Sequence, residues 1–555
     1  MKGTVLIWDG LPKLIDRPCS PTMDRNSLIL AALLFSTISA YKIAVFTPDI
    51  SNSQVLWNAR VCQKLAEAGH DVTMIKMKMF NGNRTEVVID PKVKVWTFYM
   101  ADAEQDYEGM QRKHAELIYK EIPVWSNEAR KGMNMWMGFM RDACENLLMQ
   151  KDLIRQLEEE RFDLAFTHMY EYCAIGLIHH VKIPTWIWLN SGQLMDMVAD
   201  FMGVPKPPSY VPPMMSDSKD EMTFLQRAKS FMGHSMMPIF YPSMVIWPET
   251  EVFRKHIDPN FPYLGDLARD CPLVMVNSNE LYDIPRPTLH KIINIGGLGM
   301  KFENAKPLTG KFKELVDAAN DVVLFSFGSV ANATMMPVEW KKAFMGAFSR
   351  FPHLQFIVRY DGADLDAICP ENVYLGKWIP QADLLQHPKT RAFITHGGYN
   401  SLQESINAAK PVVTIPLFGD QHRNGRLAEK HGFGYYLPKT TISEETISMA
   451  IEEILKEKYT AAVERMQRMV KKKPIQPEEL LLGWTEFLAE FKTLPNLVPY
   501  GTKLGLIHYH NIDVMAVLAT IVLLLLTVLY ALLKMVFRVG KCLLRKTAAA
   551  KLKEQ

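Results

Sequence analysis

The stretch that most limits what this chain can become runs from Arg391 to Ala409. An apolar run, Ala392-Phe393-Ile394-Thr395, stops at His396-Gly397-Gly398, and a helical pattern opens at Asn400-Ser401. Strand, glycine turn and helix in immediate succession form one half of a parallel strand–helix–strand unit. Glycines let the backbone approach a ligand closely. A helix N-terminus offers unpaired N–H groups and the positive end of a dipole, so this turn suits a diphosphate. His396 adds a donor; Asn400 and Ser401 add cap chemistry and further donors. A plain strand–turn–helix with capping residues would read the same over so short a stretch, so its surroundings decide.

Those surroundings alternate strand and helix. Tyr41–Pro48 reads as a buried parallel strand, Ser53–Gly69 as a helix ending at a glycine, and Asp71–Met77 as the next strand. Residues 277–310 are punctuated by Pro and Gly, and a second series follows. It comprises strands at Asp321–Phe327, Gln355–Tyr360, Arg391–Thr395 and Pro411–Leu417. Helices are expected at Pro337–Arg350, Asn400–Ala409, Asp420–Lys430 and Ser443–Leu455. Two consecutive doubly wound domains, 41–290 and 291–500, imply a cleft with ligands beyond the carboxyl ends of the strands. Asp200–Pro248, rich in Pro and Met, has no clean period; it borders a substrate pocket or is a surface insertion.

The ends read differently. Ser27–Ala40 is a short apolar run after Arg25 that ends in small residues, the shape of a signal peptide cleaved after Ala40. The 26 residues before it are long for such a leader, and Met23 is an alternative start. Val514–Leu533 is 20 residues without a charge, about 30 Å of helix, enough to cross a bilayer core. Residues 534–555 carry +6 of the chain's net +3, while residues 41–533 carry −4. The basic tail points to a cytosolic C-terminus and a luminal body, and the acidic body offers no footprint for nucleic acid. The closing Lys-Leu-Lys-Glu-Gln resembles a dilysine retrieval signal of the endoplasmic reticulum. Seven scattered cysteines leave disulfide pairing open, and none lies in a zinc spacing. Asn83 and Asn332 stand in glycosylation tripeptides.

The whole stretch Trp378–Gln421, WIPQADLLQHPKTRAFITHGGYNSLQESINAAKPVVTIPLFGDQ, strongly resembles the signature of the UDP-glycosyltransferase family. This family includes the UDP-glucuronosyltransferases. The resemblance implies an α/β GT-B fold, two Rossmann-like domains facing a cleft, with a C-terminal transmembrane helix. It implies that Trp378 stacks on uracil and Gln381 bonds the uracil or ribose. Glu404 accepts from the ribose hydroxyls; His396, Gly398, Asn400 and Ser401 hold the diphosphate. Asp420 and Gln421 grip the sugar, and Gly328-Ser329 touches the phosphates. UDP-sugar is then a co-substrate with a small lipophilic acceptor, in the endoplasmic reticulum membrane. No metal or other cofactor is implied, since a helix dipole and His396 can neutralise the leaving diphosphate. Assembly as a homo- or hetero-oligomer stays open.

Two positions depart from the family pattern. The family's general base is a His after the first strand, paired with an orienting acid. Here Gln54 stands in the His position and His168 in that of the acid. Glutamine cannot take a proton at physiological pH. Three readings follow: His168 or Glu171 acts as base; the acceptor is an amine or an already acidic hydroxyl and needs none; or the chain binds UDP-sugar or lipophile without turnover. Glucuronate-using relatives carry an Arg where this chain has Asn277, which favours a neutral sugar such as glucose.

Overall fold

The strands form where apolar runs are buried on both faces. In the first sheet, Ile43 and Val45 pack with Val55, Val61 and Leu65 of the Asn52–Glu67 helix. Ala44 and Phe46 face the opposite layer, which includes the Asn127–Met149 helix. Such two-sided burial requires helices on both faces. The structure is a computed structural model and describes residues 40–79, 86–100, 109, 116–122, 126–300, 305–328 and 330–551. The chain from Tyr41 onward is one compact unit holding two sheets.

The first sheet contains β1 (Lys42–Pro48), β2 (Asp71–Lys78), β3 (Lys94–Tyr99), β4 (Leu164–Thr167), β5 (Trp186–Asn190), β6 (Leu273–Val276) and β7 (Ile292–Asn294). Their order is β3-β2-β1-β4-β5-β6-β7, all parallel. The second contains β8 (Asp321–Ser326), β9 (Leu354–Arg359), β10 (Val373–Gly376), β11 (Thr390–Thr395), β12 (Val412–Thr414) and β13 (Gly434–Tyr436). It runs β10-β9-β8-β11-β12-β13, again parallel throughout. The strand order reverses between β1 and β4 in one sheet and between β8 and β11 in the other. Those are the points where doubly wound sheets open a crevice.

The two series do not part cleanly at 290. Ile292–Asn294 pairs with β6 and so extends the first sheet. The Pro477–Phe491 helix packs Leu481 and Leu488 among Ile43, Val45 and Leu164. The apolar stripe of that helix needs an apolar face, and the first sheet supplies it. The chain therefore crosses between the sheets twice.

Residues 200–248 hold ordered helices, Asp196–Met202 and Phe224–Tyr241, then a π-helical turn at Pro242–Ile246 leading into Trp247–His256. Cys144 and Cys173 form a disulfide; Cys62 and Cys271 are buried thiols. Asn332 is exposed, whereas Asn83–Thr85, Cys19 and the run 27–39 lie outside the described residues. The C-terminal helix spans Ile512–Lys551, and its Ile512–Ala548 portion is long and apolar enough to cross a membrane.

Candidate functional site

At the β8/β11 switch point two glycine turns meet one imidazole. Gly328 (φ +76°) follows β8 and Gly397 (φ +83°) follows β11. A Cβ on Gly328 would stand 2.7 Å from His396 Cε1, and one on Gly398 would stand 2.6 Å from His396 Nε2. The ring is thus clasped between two backbones that only glycine allows so near. Ser329 lies outside the described residues. The helix runs Tyr399–Ala408 with Gly398 as its N-cap and, among the described residues, no capping side chain. Asn400 and Ser401 therefore do not cap: they sit inside the first turn, past the position from which a side chain can reach back. The helix's first N–H groups remain open for an anion. Burial, and secondarily Arg359, pull the His396 pKa down to about 4. The imidazole is neutral at physiological pH, so it brings a hydrogen bond and not a charge. Arg359, the last residue of β9, is the cation beside it.

The expected nucleoside-binding residues meet each other. Gln381 Nε2 donates to Glu404 Oε2 at 2.7 Å. Burial pushes the Glu404 carboxyl up, while Gln381 and the charge of Arg60 hold it down. Arg60 reaches it from the Asn52–Glu67 helix, and no local pattern marks it. Trp378 is 60% exposed at the rim, open to a flat partner.

Asn400 bridges the two sheets. Its amide donates to Ser53 O (3.4 Å), and its oxygen accepts from Asn277 Nδ2 (3.2 Å). Asn277 is fully buried; it also donates to Ser191 O and accepts from Gln403. It acts on Asn400 rather than facing open space. Asp420 Oδ2 accepts from Asn424 Nδ2 (2.9 Å), and Asn424 also donates to Gly397 O and accepts from Gln193 of the first sheet's layer. Burial pushes the Asp420 carboxyl up. Gln421 Oε1 accepts from the backbone of Leu417 and Phe418, which leaves the amide nitrogen as its donor.

Across the cleft lies the β1/β4 switch point. Gln54 Nε2 donates to the Tyr170 hydroxyl, which shares a 2.8 Å hydrogen bond with Ser191 Oγ. Burial, with the charge of Asp420 as a lesser cause, pushes the Tyr170 pKa up to about 12. Gln54 and His168 do not pair. His168 Nε2 lies 2.7 Å from Glu171 Oε1, and its Nδ1 accepts from the Tyr170 N–H (3.3 Å). Both residues are buried, with Glu249 close by. Burial, then the Glu171 charge, pushes the Glu249 carboxyl well above the usual range. Tyr170 and Ser191 were not singled out from sequence. Their only signal is position, in the loops directly after β4 and β5.

Comparison with known proteins bears on this cleft. Residues 42–548 match the family model described as "UDP-glucoronosyl and UDP-glucosyl transferase". A putative UDP-glucuronosyltransferase of Caenorhabditis elegans, ugt-48, is 30% identical over 516 residues, 90% of this chain and 97% of that protein. Human UDP-glucuronosyltransferase 1A5 is 31% identical over 442 residues, 77% of this chain and 79% of its own. Among solved structures, the glycotransferase of kitacinnamycin superposes with a TM-score of 0.55 at 17% identity, covering 82% of this chain and all of that one. The calicheamicin glycosyltransferase CalG4 gives 0.51 at 15%, covering 81% and 99%. These two likenesses concern the fold, which is GT-B. With a family model matched over nearly its whole length, this chain belongs to the UDP-glucuronosyl and UDP-glucosyl transferase family.

Proposed function

We propose that this family member transfers a hexose, glucose in preference to glucuronate, from a UDP-sugar to a small lipophilic acceptor with inversion. The observation that carries the reading is the convergence of two switch points on one cleft. On one side stand the open helix start at Tyr399, the clasped His396, and Arg359. On the other stand Gln54, Tyr170 and Ser191. The diphosphate would rest on the helix N–H groups, with uracil on Trp378, ribose on Glu404 and sugar hydroxyls on Asp420 and Gln421. Acceptor attack forms a bond to the anomeric carbon as its bond to the diphosphate oxygen breaks. UDP leaves with that electron pair, stabilised by groups already in place. No metal or cofactor enters this reading. Asn277, a neutral amide committed to Asn400, offers no cation to a sugar carboxylate.

The His168–Glu171 pair is an imidazole held by a carboxylate, the arrangement a base needs. An amine or acidic hydroxyl would need none. A second reading, a silent UDP-sugar- or lipophile-binding homologue, is favoured by Gln54, which cannot take a proton, and by the burial of His168 and Glu171. The test is UDP release from UDP-glucose and UDP-glucuronate with a panel of phenols, amines and carboxylates. Acceptor-dependent release supports transfer. UDP binding without release with every acceptor selects the silent reading. We place the protein in the endoplasmic reticulum membrane with one spanning helix, body luminal and tail cytosolic.

A further inference from the structure

A short piece of the first-sheet half is built into the core of the second. Residues 116–121, Glu-Leu-Ile-Tyr-Lys-Glu, fall between β3 and the Asn127–Met149 helix, both of which belong to the first sheet's layers. One helical turn at 116–119 sends Ile118 and Tyr119 into the core of the second sheet, where both are buried with Phe327 and Phe344. The Tyr119 ring stands edge-on to Trp340 (5.8 Å between centroids) and tilted against Phe327 (6.4 Å). A buried tyrosine needs a partner for its hydroxyl, and this one donates to Asn332 O at 3.1 Å. Phe327 and Asn332 bracket the turn from which Gly328 closes on His396.

Lys439, shortly after β13, makes the second tie. Its ammonium donates to Ile118 O (2.8 Å), Lys120 O (2.8 Å) and Leu417 O (3.0 Å). An ammonium has three protons, and each of these meets a backbone carbonyl. Such charge-assisted bonds fix the course of two backbones relative to each other. Burial pushes the Lys439 pKa down, and the Glu121 carboxylate opposes that shift. Leu417 in turn donates its own N–H to Gln421 Oε1 at 2.9 Å. One segment from the first-sheet half therefore meets two loops of the other half. Tyr119 holds the turn at Gly328, and Lys439 links the segment through Leu417 to Gln421.

We propose that residues 116–121 are a strap that positions the donor loops, with Tyr119 and Lys439 as positioning residues for the diphosphate turn and for the sugar-gripping Gln421. The proposal rests on the reading of His396 and Gln421 as the UDP-sugar seat. The test is titration calorimetry of UDP and of UDP-glucose on the full-length chain in detergent micelles. Stoichiometry counts the folded protein, whereas Kd reports the seat, which a loss of folded protein alone does not move. Tyr119→Phe removes one oxygen and should weaken UDP and UDP-glucose alike, about fivefold, because both carry the diphosphate. Lys439→Met removes the charge-assisted tie and should weaken UDP-glucose about tenfold or more, and UDP by less than about threefold. Tyr119→Phe carries the test alone should Lys439→Met not fold. Parental Kd values for both ligands in both variants overturn the proposal, with or without a lower stoichiometry, and leave the donor seat intact. Equal weakening of the two ligands by Lys439→Met overturns the link to Gln421. A parent that binds neither ligand sinks the donor reading and this one with it.

Discussion

Gln54 donates its side-chain amide to the Tyr170 hydroxyl, and Tyr170 in turn meets Ser191 at 2.8 Å. The residue in the position of the family's general base is therefore one link in a chain of neutral hydrogen bonds. A carboxamide has no basic site, and Tyr170, pushed up to about 12, keeps its proton at neutral pH.

Gln54→His should put a titratable group where the chain now has none. A positioned general base contributes roughly 10²–10⁴-fold. Turnover with phenolic acceptors should rise about tenfold or more, with a new increase in kcat as pH passes about 6 to 7. UDP release measured from pH 5 to 9 checks this. An unchanged rate and profile would dismiss position 54 as the place where acceptors are activated.

Gly398→Ala tests the seat of the diphosphate. The added methyl would stand 2.6 Å from His396 Nε2, on the ring edge that Gly328 also approaches, so the imidazole would have to shift. UDP affinity should fall about tenfold, near 1.4 kcal/mol, by titration calorimetry. The same Kd as the parent would mean that this turn does not hold the nucleotide.

The β8/β11 side of the cleft, the proposed donor side, was legible as a strand, turn and helix because its pattern is contiguous. Strand, glycine turn and helix follow one another within Trp378–Gln421, and local rules reach that far. Arg359, Arg60 and Tyr170 were not legible. Each enters the cleft from an ordinary strand end, helix middle or loop, and only the two sheet topologies bring them together. The 224–241 helix was hidden for another reason. Its buried residues are polar and its apolar ones face outward, so a search for an inward apolar stripe fails. The return of Pro477–Phe491 to the first sheet was missed because an apolar stripe does not say which face it will cover.

The His396 imidazole carries a pH signature. His396 titrates near 4 in the folded chain against an ordinary 6.5. Above 6.5 it is neutral whether folded or not and costs nothing. As pH falls from 6.5 towards 4, the unfolded chain takes up the proton first, so stability is lost across that window, by up to about 3 kcal/mol. His396→Gln should remove this component. Urea midpoints from pH 7 to 4 should fall more steeply for the parent than for the variant; parallel curves would contradict a depressed His396.

The disulfide ties the Asn127–Met149 helix to the segment carrying His168 and Glu171, since Cys173 lies two residues beyond Glu171 and its N–H bonds that carboxylate. A closed loop of 29 residues is worth about 3–4 kcal/mol on chain-entropy grounds. Cys144→Ala/Cys173→Ala should lower the Tm by several degrees, as should a reductant on the parent. Scanning calorimetry decides; a parent insensitive to reductant, with the Tm of the double variant, would show that the bridge does not form.

Asn277 offers the sharpest test of how the halves of the cleft are joined. Its amide donates to Ser191 O at 2.9 Å and to Asn400 Oδ1 at 3.2 Å, and its oxygen accepts from Gln403. Asn277→Asp keeps the shape and the bond to Gln403 but turns two donated bonds into oxygen–oxygen contacts. A buried group left unsatisfied costs about 1–3 kcal/mol. Because Asn400 sits in the first turn of the Tyr399–Ala408 helix, part of that loss should appear as weaker UDP binding, about tenfold. Asn277→Arg, intended to recruit glucuronate, should do worse: the site is fully buried, and the longer side chain would displace Asn400 before it reached a sugar. UDP-glucose and UDP-glucuronate affinities measured side by side separate the two effects. A clean switch to glucuronate with UDP affinity intact would mean that position 277 faces the sugar after all.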